Sequence, residues 1–302
     1  MPITLPPVSR RRFISQSVAA ASGLLFKPQD GLSKDSSAEQ TWGLFSDSHV
    51  AADRELIARG AKMAANLETC VKEALAWQTK PAGAIVCGDC AYLQGQSGDY
   101  ETFGSLIQPL RQTGLPVHLL MGNHDDRAHF AEVLGKDEKM PSPVEQRHVA
   151  LIESPFANWF LLDSLDQTNK TPGVLGDTQR AWLEKSLDAH ADKPAVVVVH
   201  HNIVLNESKT GLMDSNELLA ILRPRKHVKA CIYGHTHTWE VKPDESGIHL
   251  INLPPTAYVF AAPRPNGWVQ ATLQNDAMKL ELRCLDATHK QHGEVRELKW
   301  RV

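Results

Sequence analysis

Five short polar segments hold most of the side chains in this sequence that could bind a metal or transfer a proton. In chain order they are Asp47-Ser48-His49, Gly88-Asp89, Gly122-Asn123-His124-Asp125, His200-His201 and Gly234-His235-Thr236-His237. Each segment follows an apolar run of the length and composition typical of a buried strand. Because ligand sites in open α/β sheets lie just beyond the carboxyl ends of such strands, we expect the five segments to form one site.

The side chains in these segments are imidazoles, carboxylates and one amide, with no thiolate between them. Such donors suit borderline or hard metals such as Zn, Fe, Mn or Co. Seven candidate ligands are too many for one tetrahedral ion, but they suit two ions if one carboxylate bridges them. Two-metal sites with ions about 3.5–4 Å apart serve the hydrolysis of phosphate esters.

The spacing within the segments supports a shared site. In the first and last segments the two candidate ligands are two residues apart, so both side chains lie on the same side of an extended backbone. A glycine precedes three of the clusters, at Gly88, Gly122 and Gly234. Glycine permits a sharp turn, which we expect to direct the next side chain toward the edge of the sheet.

The order of these segments resembles the calcineurin-like metallophosphoesterase superfamily. The motifs that carry the resemblance are Asp-x-His, Gly-Asp, Gly-Asn-His-Asp, His and Gly-His-x-His, between Thr41 and about Trp239. Gly-Asn-His-Asp, the double histidine and the segment from Gly176 to Leu183 are most similar to class III cyclic-nucleotide phosphodiesterases. Protein serine/threonine phosphatases carry a further Asp-Arg after Gly-Asp, whereas Cys90 follows Asp89 here.

The resemblance implies a dinuclear metal centre. One metal would be held by Asp47, His49, Asp89 and His237, and the other by Asp89, Asn123, His200 and His235. Asp89 would bridge them. The resemblance also implies an enzyme in which a hydroxide shared by the metals attacks the phosphorus of a phosphodiester in line. A cyclic nucleotide or a glycerophosphodiester would be a suitable substrate.

Three further residues are predicted to act in catalysis without binding a metal. His124 would protonate the leaving alkoxide. Asp125 would orient His124 or contact a ligand histidine. His201 would contact the substrate or support the ligands, and the alternative for it is a packing role.

Other interpretations use the same motifs. The site could serve a phosphomonoesterase or nucleotidase, or a metal-binding protein without catalysis, although the complete ligand set with His124 disfavours the last. Cys87 and Cys90 form a Cys-x-x-Cys pattern around Asp89. A redox role is disfavoured because Cys87 continues an apolar strand, while a disulfide between the two cysteines stays open.

The composition is that of a soluble globular protein, with 302 residues, 42% hydrophobic and 22% charged. A net charge of −3 gives no overall attraction to nucleic acid, and no membrane partner is indicated. The expected partner is a small phosphate ester. Five cysteines without regular spacing do not form a disulfide framework.

The predicted elements alternate between strand and helix in the first half and become hairpin-like strands in the second half. Helices are predicted at residues 53–77, 100–111, 127–134, 178–189 and 215–222, with Thr178 as the N-cap of the fourth. This order predicts an α/β fold, a layered sandwich of two mixed β-sheets flanked by helices. No linker divides residues 39–302, so we expect a single domain there.

Residues 1–38 are predicted to lie outside the fold as a signal peptide and linker. Arg10-Arg11 precede Phe13 and a run of small and apolar residues that ends at Phe26, which resembles a twin-arginine export signal. The apolar run is roughly a dozen residues, whereas a membrane span needs about 20. We therefore expect export to the periplasm, and the alternative is a basic tail on a cytoplasmic protein.

Overall fold

The fold was obtained as a computed structural model, which describes residues 3–7, 39–77, 81–135, 142–205 and 209–302. In chain order the strands are β1 (Ile3–Leu5), β2 (Gln40–Phe45), β3 (Ile57–Ala58), β4 (Ala61–Lys62), β5 (Gly83–Val86), β6 (Val117–Leu119), β7 (Ala150–Glu153), β8 (Asn158–Leu161), β9 (Ala195–Val198), β10 (Val228–Tyr233), β11 (Glu240–Pro243), β12 (His249–Asn252), β13 (Gly267–Leu273), β14 (Ala277–Cys284) and β15 (Val295–Lys299). The helices are α1 (Met63–Leu75), α2 (Ser97–Gln112), α3 (Arg127–Leu134), α4 (Asp177–Ala189) and α5 (Ser215–Leu222).

Two large sheets carry the fold. The first has the order β1-β6-β5-β2-β13-β14-β15, and the second has the order β11-β12-β10-β9-β8-β7. Strands β6, β5 and β2 are parallel neighbours, as are β12, β10, β9 and β8, while the outer strands pair antiparallel. Both sheets are therefore mixed, as the sequence predicted.

The apolar faces of the two sheets pack against each other. Leu44 and Ile85 of the first sheet belong to one buried cluster with Val196, Val198 and Ile232 of the second. A second cluster joins the other face of the first sheet to α1, α2 and α3, and a third joins the second sheet to α4 and α5. The predicted layered sandwich flanked by helices is confirmed.

The first helix is shorter than predicted. The expected helix began at residue 53, but α1 begins at Met63 and the hairpin β3–β4 precedes it. The apolar residues Leu56 and Ile57 suit a helical pattern. Arg59-Gly60, both with positive φ, instead close a two-residue hairpin, because that backbone conformation cannot continue a helix.

Other departures occur at element ends and sheet edges. Helix α4 has Gly176 as its N-cap in place of Thr178, and the Asp214 carboxylate accepts the backbone N–H groups of Leu175 and Gly176. The edge strands β11 and β15 were not predicted. Their side chains are mostly exposed, so they lack the apolar alternation that marks a half-buried strand.

The prediction that all of residues 1–38 lie outside the fold is wrong at Ile3–Leu5. This segment pairs antiparallel with β6, Leu5 is buried, and Thr4 Oγ1 lies 2.9 Å from Nδ1 of His118. Residues 8–38, which contain the predicted export signal, lie outside the described residues. Within the described ranges, no helix has both the length and the apolar character needed to cross a membrane.

Candidate metal centre

The strand order brings the five polar segments together. Asp47 and His49 follow β2, Asp89 follows the neighbouring β5, and the segment containing Asn123 follows β6. The two histidine segments follow β9 and β10, which are neighbours in the second sheet. The carboxyl ends of these parallel strands lie at the same edge of the sandwich, so ligands from both sheets face each other.

One group of potential ligand atoms comes from Asp47, His49 and His237, and these atoms all lie within 4.8 Å of one another. Nε2 of His237 is 3.4 Å from Oδ1 of Asp47 and 3.0 Å from Nε2 of His49. Nε2 of His49 is in turn 3.7 Å from Oδ2 of Asp89. These four residues are the set predicted for the first metal.

A second group comes from Asp89, His200 and His235, again within 4.8 Å. Nε2 of His200 is 3.3 Å from Oδ2 of Asp89, without the alignment of a hydrogen bond. Asp89 belongs to the second group and also approaches His49 of the first, so it could hold both metals. The structure brings together all four residues predicted for the first metal and, of those predicted for the second, Asp89, His200 and His235.

Two ligand histidines are oriented by backbone carbonyls. Nδ1 of His200 donates to the carbonyl of Cys87 at 2.7 Å, and Nδ1 of His237 donates to the carbonyl of Tyr258 at 2.6 Å. This arrangement places the proton on Nδ1 and turns the Nε2 lone pair toward the site. Metal-binding histidines are commonly held in this way.

Two buried atoms of the predicted ligands have no hydrogen-bond partner within the described part of the chain, Oδ1 of Asn123 and Nε2 of His200. Buried polar atoms are nearly always paired, since burying one unpaired costs free energy. Both atoms are donors of the kind that coordinate divalent cations. The residues present therefore fit two bound metal ions.

The charges at the centre are strongly coupled. Burial raises the pKa of Asp89, but the nearby His200 more than offsets this and holds that pKa well below its usual value. Burial lowers the pKa of His200, and Asp89 reverses this and raises it to about 10. Burial lowers the pKa of His49 to about 3, so that imidazole is neutral at neutral pH. A metal that binds both Asp89 and His200 must displace the Nε2 proton of His200.

The ligand residues themselves adopt the left-handed backbone conformation. Positive φ angles occur at five of the seven predicted ligands, Asp47, His49, Asp89, His235 and His237. Each such residue costs on the order of 1–3 kcal/mol unless its surroundings compensate, and this strain is typical of functional sites. The sequence predicted sharp turns at the glycines, but most of the residues with the left-handed backbone are the ligands themselves.

The three glycines differ in their roles. Gly88 has a φ of +78°, as a turn residue would. A Cβ at Gly122 would lie 2.1 Å from Oδ1 of Asp89, and one at Gly234 would lie 2.5 Å from Oδ2 of Asp47. Glycine is required at these two positions because a carboxylate approaches the backbone closely.

His124 lies at the mouth of the centre and is partly exposed. Its Nδ1 donates to the carbonyl of Leu93 at 2.8 Å, and its backbone N–H donates to Oδ1 of Asp89 at 2.8 Å. A nitrogen of its ring also lies within 4.8 Å of ligand atoms of His49 and Asp89. Leu93 was missed by the sequence analysis, because a backbone carbonyl has no sequence signal.

Asp125 has different contacts from those predicted. Its carboxylate accepts hydrogen bonds from the backbone N–H groups of Cys90, Ala91 and Gly122 and from the hydroxyl of Tyr100. No histidine in the described ranges donates to it, so the expectation that Asp125 orients His124 or a ligand histidine is not met. Burial, with the charge of Asp89, raises its pKa to about 6. Its four donors favour the ionised form and fix the loop that carries Asp89.

We expect Asp125→Asn to lower the free energy of unfolding by about 2–4 kcal/mol. An amide has one acceptor oxygen in place of two, and its NH₂ group would face backbone N–H groups that then lose their acceptor. Asp126→Asn is the matched control, because Asp126 caps α3 and asparagine is an equally good N-cap. Urea unfolding of both variants measures the difference. Loss of activity without loss of stability would instead return Asp125 to a role in the chemistry.

His201 is fully buried beside the second ligand group. Its Nδ1 is 2.7 Å from Oγ of Ser164, and its ring centroid is 4.8 Å from that of His235. A Cβ at Gly173 would lie 2.2 Å from Nδ1 of His201, so this glycine leaves room for the ring. His201 therefore packs against the ligand histidine His235, and a contribution of His201 to catalysis stays a prediction.

Cys87 and Cys90 do not form a disulfide in this structure. The thiol of Cys87 donates to the carbonyl of Val199, and that of Cys90 faces the carbonyl of Leu120 at 3.9 Å. Burial raises the pKa of both thiols well above the usual value. Buried thiols with raised pKa values are poor nucleophiles, which disfavours a redox role.

Comparison with known proteins relates the chain to hydrolases. A sequence model of the calcineurin-like phosphoesterase family matches residues 43–239. The chain is 28% identical over 221 residues to the 3′,5′-cyclic adenosine monophosphate phosphodiesterase CpdA of Haemophilus influenzae, covering 71% of this chain and 75% of the relative. It is 28% identical over 163 residues to the glycerophosphodiester phosphodiesterase GpdQ of Enterobacter lignolyticus, covering 52% and 56%.

The same fold occurs in a solved structure of a dimetal phosphatase from Danio rerio. The two chains superpose with a TM-score of 0.66 at 17% sequence identity, over 86% of this chain and 99% of the other. Identity at this level shows the common fold. The matched region of the family model contains all five polar segments described above.

Proposed function

Because this chain belongs to the calcineurin-like phosphoesterase family of metal-dependent hydrolases, we propose that its two-metal centre hydrolyses small phosphodiesters. The observation that carries the proposal is that Asp89 Oδ2 lies 3.3 Å from Nε2 of His200 in its own group and 3.7 Å from Nε2 of His49 in the other group. Two ions bound there would supply an activated water and offset charge on the phosphoryl oxygens.

The residues of the chain have separate tasks in this reaction. Asp47, Asp89, Asn123 and the ligand histidines would hold the ions, and the carbonyls of Cys87 and Tyr258 fix two of the imidazoles. Leu93 accepts from Nδ1 of His124, so a His124 imidazolium would deliver its Nε2 proton to the leaving oxygen and keep the Nδ1 proton. The partial exposure of His124 supports this task, since a departing alcohol must reach solvent.

The substrate is proposed from the relatives. One is named a cyclic adenosine monophosphate phosphodiesterase and another a glycerophosphodiester phosphodiesterase, which supports a small phosphodiester as the substrate class. The second candidate is a phosphomonoesterase or nucleotidase on the same residues. The metals are proposed to be two of Fe, Mn, Zn or Co, in agreement with the imidazole, carboxylate and amide donors.

A direct assay tests the proposal. Mn²⁺-loaded protein should hydrolyse bis-p-nitrophenyl phosphate with a higher kcat/KM than p-nitrophenyl phosphate. A preference for the monoester would favour the second candidate. If the protein binds two metals and hydrolyses neither ester, it is a metal-binding protein without catalytic activity.

We also propose that the chain is exported, because Arg10-Arg11 and the apolar run after them resemble a twin-arginine signal. Changing Arg10 and Arg11 to lysine should then retain the protein in the cytoplasm, as cell fractionation would reveal. If a signal is removed near residue 38, mass spectrometry should show that the exported form lacks Ile3–Leu5. Finding the unaltered chain only in the cytoplasm would refute the proposal.

A further inference from the structure

A short hairpin places a cation at the edge of the metal centre. Arg59-Gly60 join β3 to β4, and both residues have positive φ, as a tight two-residue turn requires. Asparagine or aspartate usually occupies the first position of such a turn, because the left-handed conformation is unfavourable for longer side chains. An arginine at this position is therefore unusual on local grounds.

The hairpin is held in place by packing. Ala58 and Ala61 pack with Leu56 against a small buried cluster that contains Ala257 and Tyr258. The backbone N–H of Ala257 donates to the carbonyl of Asp47, which follows β2. The tip of the hairpin thus has a fixed position relative to the metal ligands.

The guanidinium of Arg59 lies over two aromatic rings. Its Cζ is 5.7 Å from the ring centroid of Tyr258 and 5.0 Å from that of Phe260. No carboxylate in the described ranges lies within salt-bridge distance of Arg59, and its side chain is exposed. The free energy gained from an exposed cation–π contact is of the same order as the free energy that the left-handed conformation costs. The two effects roughly cancel, so the presence of an arginine at this position is not explained by the stability of the free protein.

The same rings contact the ligand histidines. Phe260 stacks on His237 with centroids 4.1 Å apart, and Tyr258 stacks on His49 with centroids 5.3 Å apart. Arg59, Tyr258 and Phe260 therefore form a wall, here called the aromatic wall, that borders the first metal position. Phe260 is 50% exposed although it lies beside this charged centre.

We propose that Arg59 and Phe260 bind a planar aromatic group attached to the substrate phosphate, and so determine specificity. The inference rests on the proposed function, because it assigns the aromatic wall to the ester group beside the scissile phosphate. A guanidinium and a half-exposed benzene ring both offer π faces for a heterocycle. A glycerol or ethanolamine ester has no ring to stack and would gain little from either residue.

Equilibrium binding tests the inference without turnover. Isothermal titration calorimetry with Mn²⁺-loaded protein would compare adenosine 5′-monophosphate with glycerol 3-phosphate. Phe260→Ala and Arg59→Asn should each weaken binding of the adenosine compound by about 10-fold, the scale of a lost base-stacking contact. Binding of glycerol 3-phosphate should change by less than about twofold, since that ligand lacks the ring that stacks.

The variants control for damage to the hairpin. Arg59→Asn suits a turn with positive φ, so a loss of binding there cannot be ascribed to hairpin unfolding. Val295→Ala is the control for loss of an exposed apolar side chain, because Val295 is 49% exposed on the edge strand β15. This control should leave binding of both ligands unchanged.

The outcomes separate this inference from the proposed function. Equal effects on both ligands, no effect on either, or a wild-type protein that binds the adenosine compound no better than glycerol 3-phosphate would overturn the role of the aromatic wall. A ring preference that depends on Phe260 and Arg59 would support it, even if the wild type hydrolyses no diester and the proposed function fails.

Discussion

Replacing Asp89 with alanine should remove at least one of the two metals and reduce activity by about 10³-fold or more, beyond the loss caused by removing a single electrostatic donor. Asp89 belongs to the second group of ligand atoms, its Oδ2 lies 3.7 Å from Nε2 of His49 in the first group, and its Oδ1 accepts from the backbone N–H of His124. Two cations without a bridging carboxylate repel each other more strongly. The loss should therefore reach both metal positions.

Elemental analysis after dialysis measures the metal content of this variant. Asp89→Asn is the informative partner, since it keeps an oxygen donor and the size of the side chain while it removes the charge. We expect intermediate metal content for Asp89→Asn and one ion or fewer for Asp89→Ala. Two tightly bound ions in Asp89→Ala would show that Asp89 does not bridge.

Replacing His124 with alanine should retain both metals and slow hydrolysis of an alkyl phosphodiester by about 10²–10⁴-fold, the usual contribution of a general acid. The predicted ligand set is complete without His124, and its Nδ1 is already engaged by the carbonyl of Leu93. An alkoxide is a poor leaving group and needs a proton in the transition state. A nitrophenolate does not, so bis-p-nitrophenyl phosphate should lose far less rate.

Each alternative for His124 has its own result. Equal losses on the two substrates would indicate charge stabilisation or positioning of the substrate. Loss of metal would identify His124 as a ligand, which its position within 4.8 Å of ligand atoms of His49 and Asp89 allows. His129→Ala is a matched control, because Nδ1 of His129 also contacts a carbonyl, that of Gly95, and the residue is partly exposed.

The sequence by itself determined the layered architecture and the ligand groups. Runs such as β9, four apolar residues buried throughout, specify a strand locally, and the polar segment after such a run must emerge at the end of that strand. Parallel pairing then collects these segments at one edge of the sheets. For this reason Asp47 meets His237, and Asp89 meets His200, although the members of each pair are far apart in the chain.

The sequence could not determine contacts made by the backbone or by exposed segments. The contacts predicted for Asp125 were wrong because three of its four donors are backbone N–H groups, which every non-proline residue has and no motif identifies. The hairpin β3–β4 was missed because two-residue strands have no period to recognise. The edge strand β1 was missed because the segment after it suggested a leader.

Only the tertiary structure decided which residues outside the motifs border the metal centre. Arg59 and Phe260 are about 200 residues apart in the sequence and belong to no motif, yet the guanidinium and the ring lie 5.0 Å apart. The left-handed backbone of His49 and His237 is likewise a property of the assembled site. That conformation is sterically unfavourable for residues other than glycine. Hydrogen bonds and packing from both sheets are therefore needed to hold it in place.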